Sequence, residues 1–206
     1  MKNNLSFREF YKRRLPHIQI AGATYFITFR LANSLPKTVL EKLAEETFQI
    51  KKLPENQKEA GHRAWFTKYD EYLDKALHGD LHLKNEQIAD MVAASIQFRD
   101  GKVYDLIAYC IMPNHAHLVC TPLVKVDGVY FSLTEILHSL KRHTAREANK
   151  ILQRSGSFWQ DESYDHFIRD DAELERIVKY VLYNPVKANL VKEQVDWKWV
   201  YCKSEM

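Results

Sequence analysis

The sequence predicts an α+β fold, a ferredoxin-like antiparallel sheet with helices packed on it. Three observations predict it. A segment near the N-terminus alternates at period two, two apolar segments meet at a Pro-Asn turn in mid-chain, and amphipathic helical stretches fill the connections. Ala23–Leu31 (ATYFITFRL) sets Tyr25, Ile27, Phe29 and Leu31 against Thr24, Thr28 and Arg30, a strand with one core face. Pro36 suits a helix first turn, where its missing N–H is no loss. Val39, Leu40, Leu43 and Thr47/Phe48 follow at helical spacing. Residues 51–62 are polar without periodicity and read as a loop. Asn85 is a fitting N-cap for a helix with Ile88, Met91, Val92 and Ile96 on one face.

Val103–Ile111 (VYDLIAYCI) is apolar on both faces, as a strand covered on both sides is. Met112-Pro113-Asn114 turns the chain, and His115–Pro122 (HAHLVCTP) returns as the second strand of a hairpin. A long helix follows, with a stripe of Leu133, Ile136, Leu137, Leu140, Thr144, Ala148, Ile151 and Leu152. Its other face shows His138, Arg142, Arg146 and Asn149, and Ser155-Gly156-Ser157 ends it. Phe158–Ile168 reads as extended. A last helix opens at Asp170 or Asp171, where Asp170 and Glu173 have capping-box spacing, and stops at Asn184 because Pro185 follows.

The 206 residues suit one domain spanning 1–206, with a basic N-terminal arm over about 1–20 and a partly helical insertion over about 50–85. Hydrophobic residues at 46% provide a core and exclude wholesale disorder. Three cysteines fit no disulfide framework and suit a reducing compartment. No apolar run approaches the ~20 residues of a membrane helix, and the polar start MKNNLSFREFYKRR has no secretory h-region. The expectation is a cytoplasmic protein. Net charge is only +3, but it is uneven. Lys2, Arg8, Lys12, Arg13, Arg14 and Arg30 face one acid, Glu9, in the first thirty residues, so this arm suits a phosphate backbone or is simply solvated.

Two pairs of residues are suited to chemistry. His115 and His117 are i and i+2 on a strand, so their imidazoles share a face at a spacing able to chelate a divalent cation. Tyr180 and Asn184 are i and i+4 on the last helix, which sets a phenol beside an amide oxygen. Taken alone, each pair also fits a plain structural role: core histidines, a core-edge tyrosine and a capping asparagine.

Together, MPNHAHLV and YVLYNPVKANLV resemble the HUH single-tyrosine transposases, most of all the REP-associated tyrosine transposases. The resemblance runs from about Tyr25 to Val191 and takes in KYDEYLDKALHGD at 68–80, Ile88-Ala89-Asp90, Phe158-Trp159-Gln160, Asp165-His166 and Asn184-Pro185-Val186-Lys187-Ala188. One departure is Ala116, where the family usually carries a bulkier apolar residue. The resemblance implies a metal-dependent transesterase on single-stranded DNA, used in transposition of hairpin-forming elements and associated in use with a bacterial nucleoid. It implies that His115, His117 and Asn184 bind Mg²⁺ or Mn²⁺, and that Tyr180 attacks the phosphorus, forming a 5′-phosphotyrosine. Such an exchange needs no nucleotide triphosphate, in keeping with the absence of a GxxxxGK[ST] loop. Lys12, Arg13 and Arg14 in the arm, and Lys141, Arg142 and Arg146 on the long helix, are expected to hold phosphates. The partner is single-stranded DNA, met by a monomer or a homodimer. Two other readings stay open: a catalytically silent binder of DNA or RNA hairpins, and a hydrolase that activates water on the HxH pair. Tyr183 and Tyr164 are the rival nucleophiles, and His166 and Trp159 are residues with both a structural and a DNA-binding reading.

Overall fold

A computed structural model describes residues 7–12, 16–75 and 79–203, with 7–12 and 16–19 as backbone alone. In chain order the elements are β1 (Phe7–Lys12), β2 (Pro16–Ile20), β3 (Thr24–Arg30), α1 (Lys37–Lys52), α2 (Glu55–Asp74), α3 (Glu86–Gln97), β4 (Tyr104–Ile111), β5 (His115–Pro122), α4 (Leu133–Ile151), β6 (Tyr164–Ile168), α5 (Asp171–Lys187) and β7 (Val200–Cys202). Strands β3 to β7 form one antiparallel sheet in the order β6-β3-β5-β4-β7. Its first four strands have the ferredoxin-like order that the sequence predicts, and β7 extends one edge. The segment expected as a basic arm contains an antiparallel hairpin, β1 with β2. Lys12 ends β1; Arg13 and Arg14 lie outside the described residues.

The sheet is covered on both faces. On one, Tyr25, Ile27 and Phe29 of β3 and Ala116, Leu118 and Cys120 of β5 pack against Ile88, Val92 and Ile96 of α3 and Ile136 and Leu140 of α4. On the other, Phe26, Cys110 and Val119 pack against Val178 and Val181 of α5. β3 therefore has two core faces rather than one, because Phe26 is buried among the residues expected to be polar. A third cluster joins Leu43 and Ile50 of α1 to Trp65, Tyr69 and Leu73 of α2. β4 contains a bulge between Leu106 and Ala108, whereas β3 and β5 pair without irregularity from Tyr25↔Cys120 to Arg30↔His115.

Several boundaries differ from the sequence reading. Residues 55–62 are the first turns of α2 and not a loop. They are polar because that half of the helix is solvated, with Lys58–Glu55 and Arg63–Glu59 pairs along its surface. α4 stops before Ser155-Gly156-Ser157. Gln153 takes a left-handed φ of 51°, and Arg154 N donates to Asn149 O while Gln153 N donates to Lys150 O. Pro185 does not stop α5, which runs on to Lys187. The stop is Asn189, at φ 56°, where Leu190 N donates to Pro185 O and Asn189 N to Val186 O. No helix among the described residues is long and apolar enough to cross a membrane.

Candidate active site

The site lies on the sheet face covered by α5 and α2. Alternation along β5 sends Ala116 and Leu118 into the core under α3 and α4, so His115 and His117 emerge together on the opposite side. Both imidazoles are fully buried, and their Nε2 atoms are 3.1 Å apart. Each Nδ1 has a partner: His115 Nδ1 lies 2.7 Å from Asn114 Oδ1, and His117 Nδ1 lies 2.8 Å from Thr28 Oγ1 on the neighbouring strand.

These partners decide where the protons sit. Asn114 Nδ2 donates to Leu73 O at 3.0 Å, which fixes Asn114 Oδ1 as an acceptor. His115 Nδ1 must then carry the proton, and His115 Nε2 presents a bare lone pair. With His115 Nε2 as a bare acceptor 3.1 Å away, His117 Nε2 carries the proton in this arrangement, and the Thr28 hydroxyl, able to donate or accept, would allow the other tautomer on ligation. Burial, reinforced for His115 by His117, holds the His115 imidazole well below its ordinary pKa. Burial and then the Lys187 charge push His117 down to about 3. Both rings are therefore neutral, as metal ligation requires.

α2 closes the site with two acids that the sequence reading did not single out. Asp70 and Asp74 are i and i+4 on α2, and Asp70 Oδ1 lies 3.5 Å from His117 Nε2. Lys187, three residues past Asn184 on α5, reaches both acids, at 3.1 Å to Asp70 Oδ2 and 2.8 Å to Asp74 Oδ2. The signal was available in the KYDEYLD spacing, which repeats an acid at one helical turn. The polar, aperiodic stretch 51–62, which includes the start of that helix, hides it.

Tyr180 and Asn184 stand together as expected, with Asn184 Nδ2 donating to the Tyr180 hydroxyl at 3.2 Å. The Tyr180 ring centroid is 5.6 Å from that of His117 and 6.0 Å from that of Phe26. Burial, then the charge of Asp70, raises the Tyr180 phenol well above its ordinary pKa. The rival tyrosines are placed differently. Tyr183 is half exposed, and Tyr164 lies on β6 with its ring stacked on Phe66 at 4.3 Å.

The donor set fits a divalent cation. Two cis ligands at about 2.1 Å from an octahedral ion lie about 3 Å apart, close to the spacing of the Nε2 atoms. Asn184 Oδ1 and Asp70 Oδ1 are buried oxygens without a hydrogen-bond partner, and Asp70, His115 and His117 bring ligand atoms within 4.8 Å of one another. The neutral ligand set expected from the sequence thus gains an adjacent carboxylate.

The other expected site residues are spread out. Lys141 Nζ donates to the carbonyls of Gln160 and Asp161, at 2.8 and 3.0 Å, and so fastens the segment before β6 onto α4. Arg142 is exposed, and Arg146 pairs with Glu147 at 2.8 Å. His166 and Arg169 both hold Glu173 at the start of α5. Trp159 is buried, its Nε1 donating to Thr144 Oγ1 at 2.8 Å.

Known proteins share this chain's pattern. A family model described as "Transposase IS200 like" matches residues 57–184, from the first turn of α2 through the histidine pair to Asn184. A protein of Haemophilus influenzae named as a REP-associated tyrosine transposase is 29% identical over 101 residues, covering 47% of this chain and 57% of its own length. A REP-associated tyrosine transposase of Escherichia coli K12 is 26% identical over 104 residues, covering 50% and 58%. The chain thus spans a little over half the length of these curated relatives. A REP-associated tyrosine transposase solved bound to a REP hairpin superposes with a TM-score of 0.48 at 18% identity, covering 94% of this chain and 81% of that one. The family match takes in well over half of the sequence, and the chain belongs to the IS200-like transposases.

Proposed function

We propose that this protein cuts and rejoins single-stranded DNA through a 5′-phosphotyrosine on Tyr180, in the transposition of hairpin-forming elements. One observation carries the reading: a phenol on α5 stands against two neutral imidazoles whose Nε2 atoms are 3.1 Å apart. The Tyr180 oxygen attacks the scissile phosphorus, the bond to the 3′-oxygen breaks, and that oxygen takes a proton from solvent to leave as a free 3′-hydroxyl. Asp70, whose charge faces the phenol, accepts the phenolic proton. Asn184 orients the phenol through its amide N–H. Attack of another 3′-hydroxyl on the phosphotyrosine reverses the step and restores the phenol. A divalent cation, Mg²⁺ or Mn²⁺, held by His115, His117 and Asn184 with Asp70 beside them, would neutralise charge on the phosphoryl oxygens and favour the phenolate. Lys187 balances the charge of Asp70 and Asp74.

The test is incubation with hairpin oligonucleotides bearing single-stranded flanks in the presence of Mn²⁺, followed by denaturing electrophoresis. The wild type forms a covalent protein–DNA species, and Tyr180→Phe forms none while keeping its fold and DNA binding. An adduct on the Phe variant moves the nucleophile elsewhere, with Tyr183 next. Cleavage without an adduct installs the hydrolase. The full burial of both histidines favours one other reading, the silent hairpin binder; binding with neither adduct nor cleavage would establish it.

A further inference from the structure

Beside the histidine pair, on the same face, a cleft of about 340 Å³ opens between α1, α2 and the segment leading into β6. Trp65, Tyr69 and Tyr164 line its floor, Phe48 its outer wall, and Arg30 and Glu162 its polar side. Arg30 is the ladder partner of His115, so the cleft begins one strand away from the imidazoles. Arg30 is 5% exposed, and its guanidinium donates to Ser34 Oγ at 3.1 Å. Tyr69 is hydrogen-bonded to Arg30, and burial pushes its phenol up to about 12, so it keeps its proton. The floor is a run of rings. Trp65 stacks on Tyr69 at 5.1 Å and on Tyr164 at 6.0 Å, Tyr164 stacks on Phe66, and Phe66 meets the Tyr180 ring at 6.3 Å. Phe48 is 53% exposed, and Lys52 Nζ lies 4.0 Å from its ring centroid. Phe48 thus sets a large exposed aromatic beside a cation at the mouth of a ring-lined cleft.

We propose that this cleft holds an unpaired nucleobase of the DNA strand, from the nucleotide beside the scissile phosphate or the next one along. A base lifted out of its stack needs a π-face to lie against and polar groups for its edge. Phe48 and the ring floor supply the first; the Arg30 and Tyr69 donors and the Glu162 carboxylate supply the second. The proposal rests on the reading that the chain acts on single-stranded DNA. It deepens that reading by assigning α1 and α2 a grip on the strand.

The test compares a short single-stranded oligonucleotide of mixed sequence with an abasic strand of the same length, by fluorescence anisotropy. The wild type is expected to bind the base-bearing strand more tightly. Phe48→Ala, at a half-exposed helix position, is expected to lose about tenfold on that strand and nothing on the abasic one. Phe48→Tyr, which keeps the ring, is expected to bind as the wild type does. Equal loss on both strands, no loss on either, or a wild type indifferent to bases overturns the proposal. The result is separable from the adduct assay. A base-dependent loss without any Tyr180 adduct leaves the cleft standing and removes the transesterase, and an adduct with no base dependence does the reverse.

Discussion

Thr28 offers a sharp perturbation of the histidine pair. Its side chain is fully buried, and its hydroxyl is the Nδ1 partner of His117 at 2.8 Å. Thr28→Val keeps the volume and removes that one group. A buried neutral nitrogen left without a partner costs about 1–3 kcal/mol. With no cavity opened and one methyl added, a loss of about 2 kcal/mol is expected in urea denaturation with EDTA present. The second effect falls on metal. Losing the group that orients a ligating imidazole weakens metal binding by about 10–100-fold, and calorimetric titration with Mn²⁺ reads this directly. Thr28→Ser restores the hydroxyl, so it should regain the Mn²⁺ affinity while remaining about 1 kcal/mol less stable for want of the methyl. A folded Val variant that binds Mn²⁺ as the wild type does would refute the assignment of His117 as a ligand oriented by Thr28. So would a Ser variant as weak as Val.

Three further outcomes are expected. Glu135, held by the Lys125 ammonium and then by Ser132 at the start of α4, has its carboxyl lowered from 4.5 to about 2. Its stabilisation is complete above 4.5 and is lost as pH falls from there towards 2. Because the side chain is half exposed, Glu135→Gln should cost only about 1 kcal/mol near neutral pH and progressively less in acid, as read by denaturation at two pH values. Leu118→Ala, at a fully buried position between β5 and the α3–α4 layer, should cost about 2–5 kcal/mol in the same assay; a loss well below that range would mean the layer collapses to fill the space. Replacing Arg142 and Arg146 together by Gln should weaken DNA binding broadly and reduce its salt dependence. An unchanged salt slope would assign both to an ordinary solvated surface.

The hairpin that carries the histidines was legible in the sequence because two apolar segments, Val103–Ile111 and His115–Pro122, meet at a Pro-Asn turn. α3 was legible because Asn85 caps it as expected, accepting from Ile88 N. The pairing of Tyr180 with Asn184 followed from helical spacing alone. What escaped depended on tertiary context. The first turns of α2 are exposed and apolar residues enter only from Trp65 onward, so periodicity begins halfway along the helix. Asp70 and Asp74 were not singled out, because their partners, Lys187 on α5 and for Asp70 also His117 on the sheet, are distant in sequence. Pro185 read as a stop, yet a helix ends where its last carbonyls find other donors, and here Asn189 and Leu190 provide them. The capping box lies at Ser132 and Glu135 of α4. At α5 only half of the expected one forms: Asp170 accepts from Glu173 N, while the Glu173 carboxylate turns instead to Arg169 N.

The bulge in β4 divides that strand into two stretches of opposite parity. Before it, Tyr104 and Leu106 face the α3–α4 layer; after it, Tyr109 and Ile111 do, while Cys110 and Met112 turn towards α5. Removing the extra residue at Ile107 would leave the half of β4 next to the turn in phase, because Leu106 and Ala108 already oppose consecutive residues of β5 and lie on opposite faces. Tyr109 and Ile111 would stay on the α3–α4 side, and Cys110, the ladder partner of His117, on the α5 side. The imidazoles themselves would keep their aim, since β5 takes its phase from β3 through an unbroken ladder. Tolerance to length change is therefore unequal around the site. β4 has already absorbed one odd residue in its bulge and offers a place to lose it with both walls kept. A single insertion or deletion within β3 or β5 would turn the histidine pair away from Tyr180 altogether.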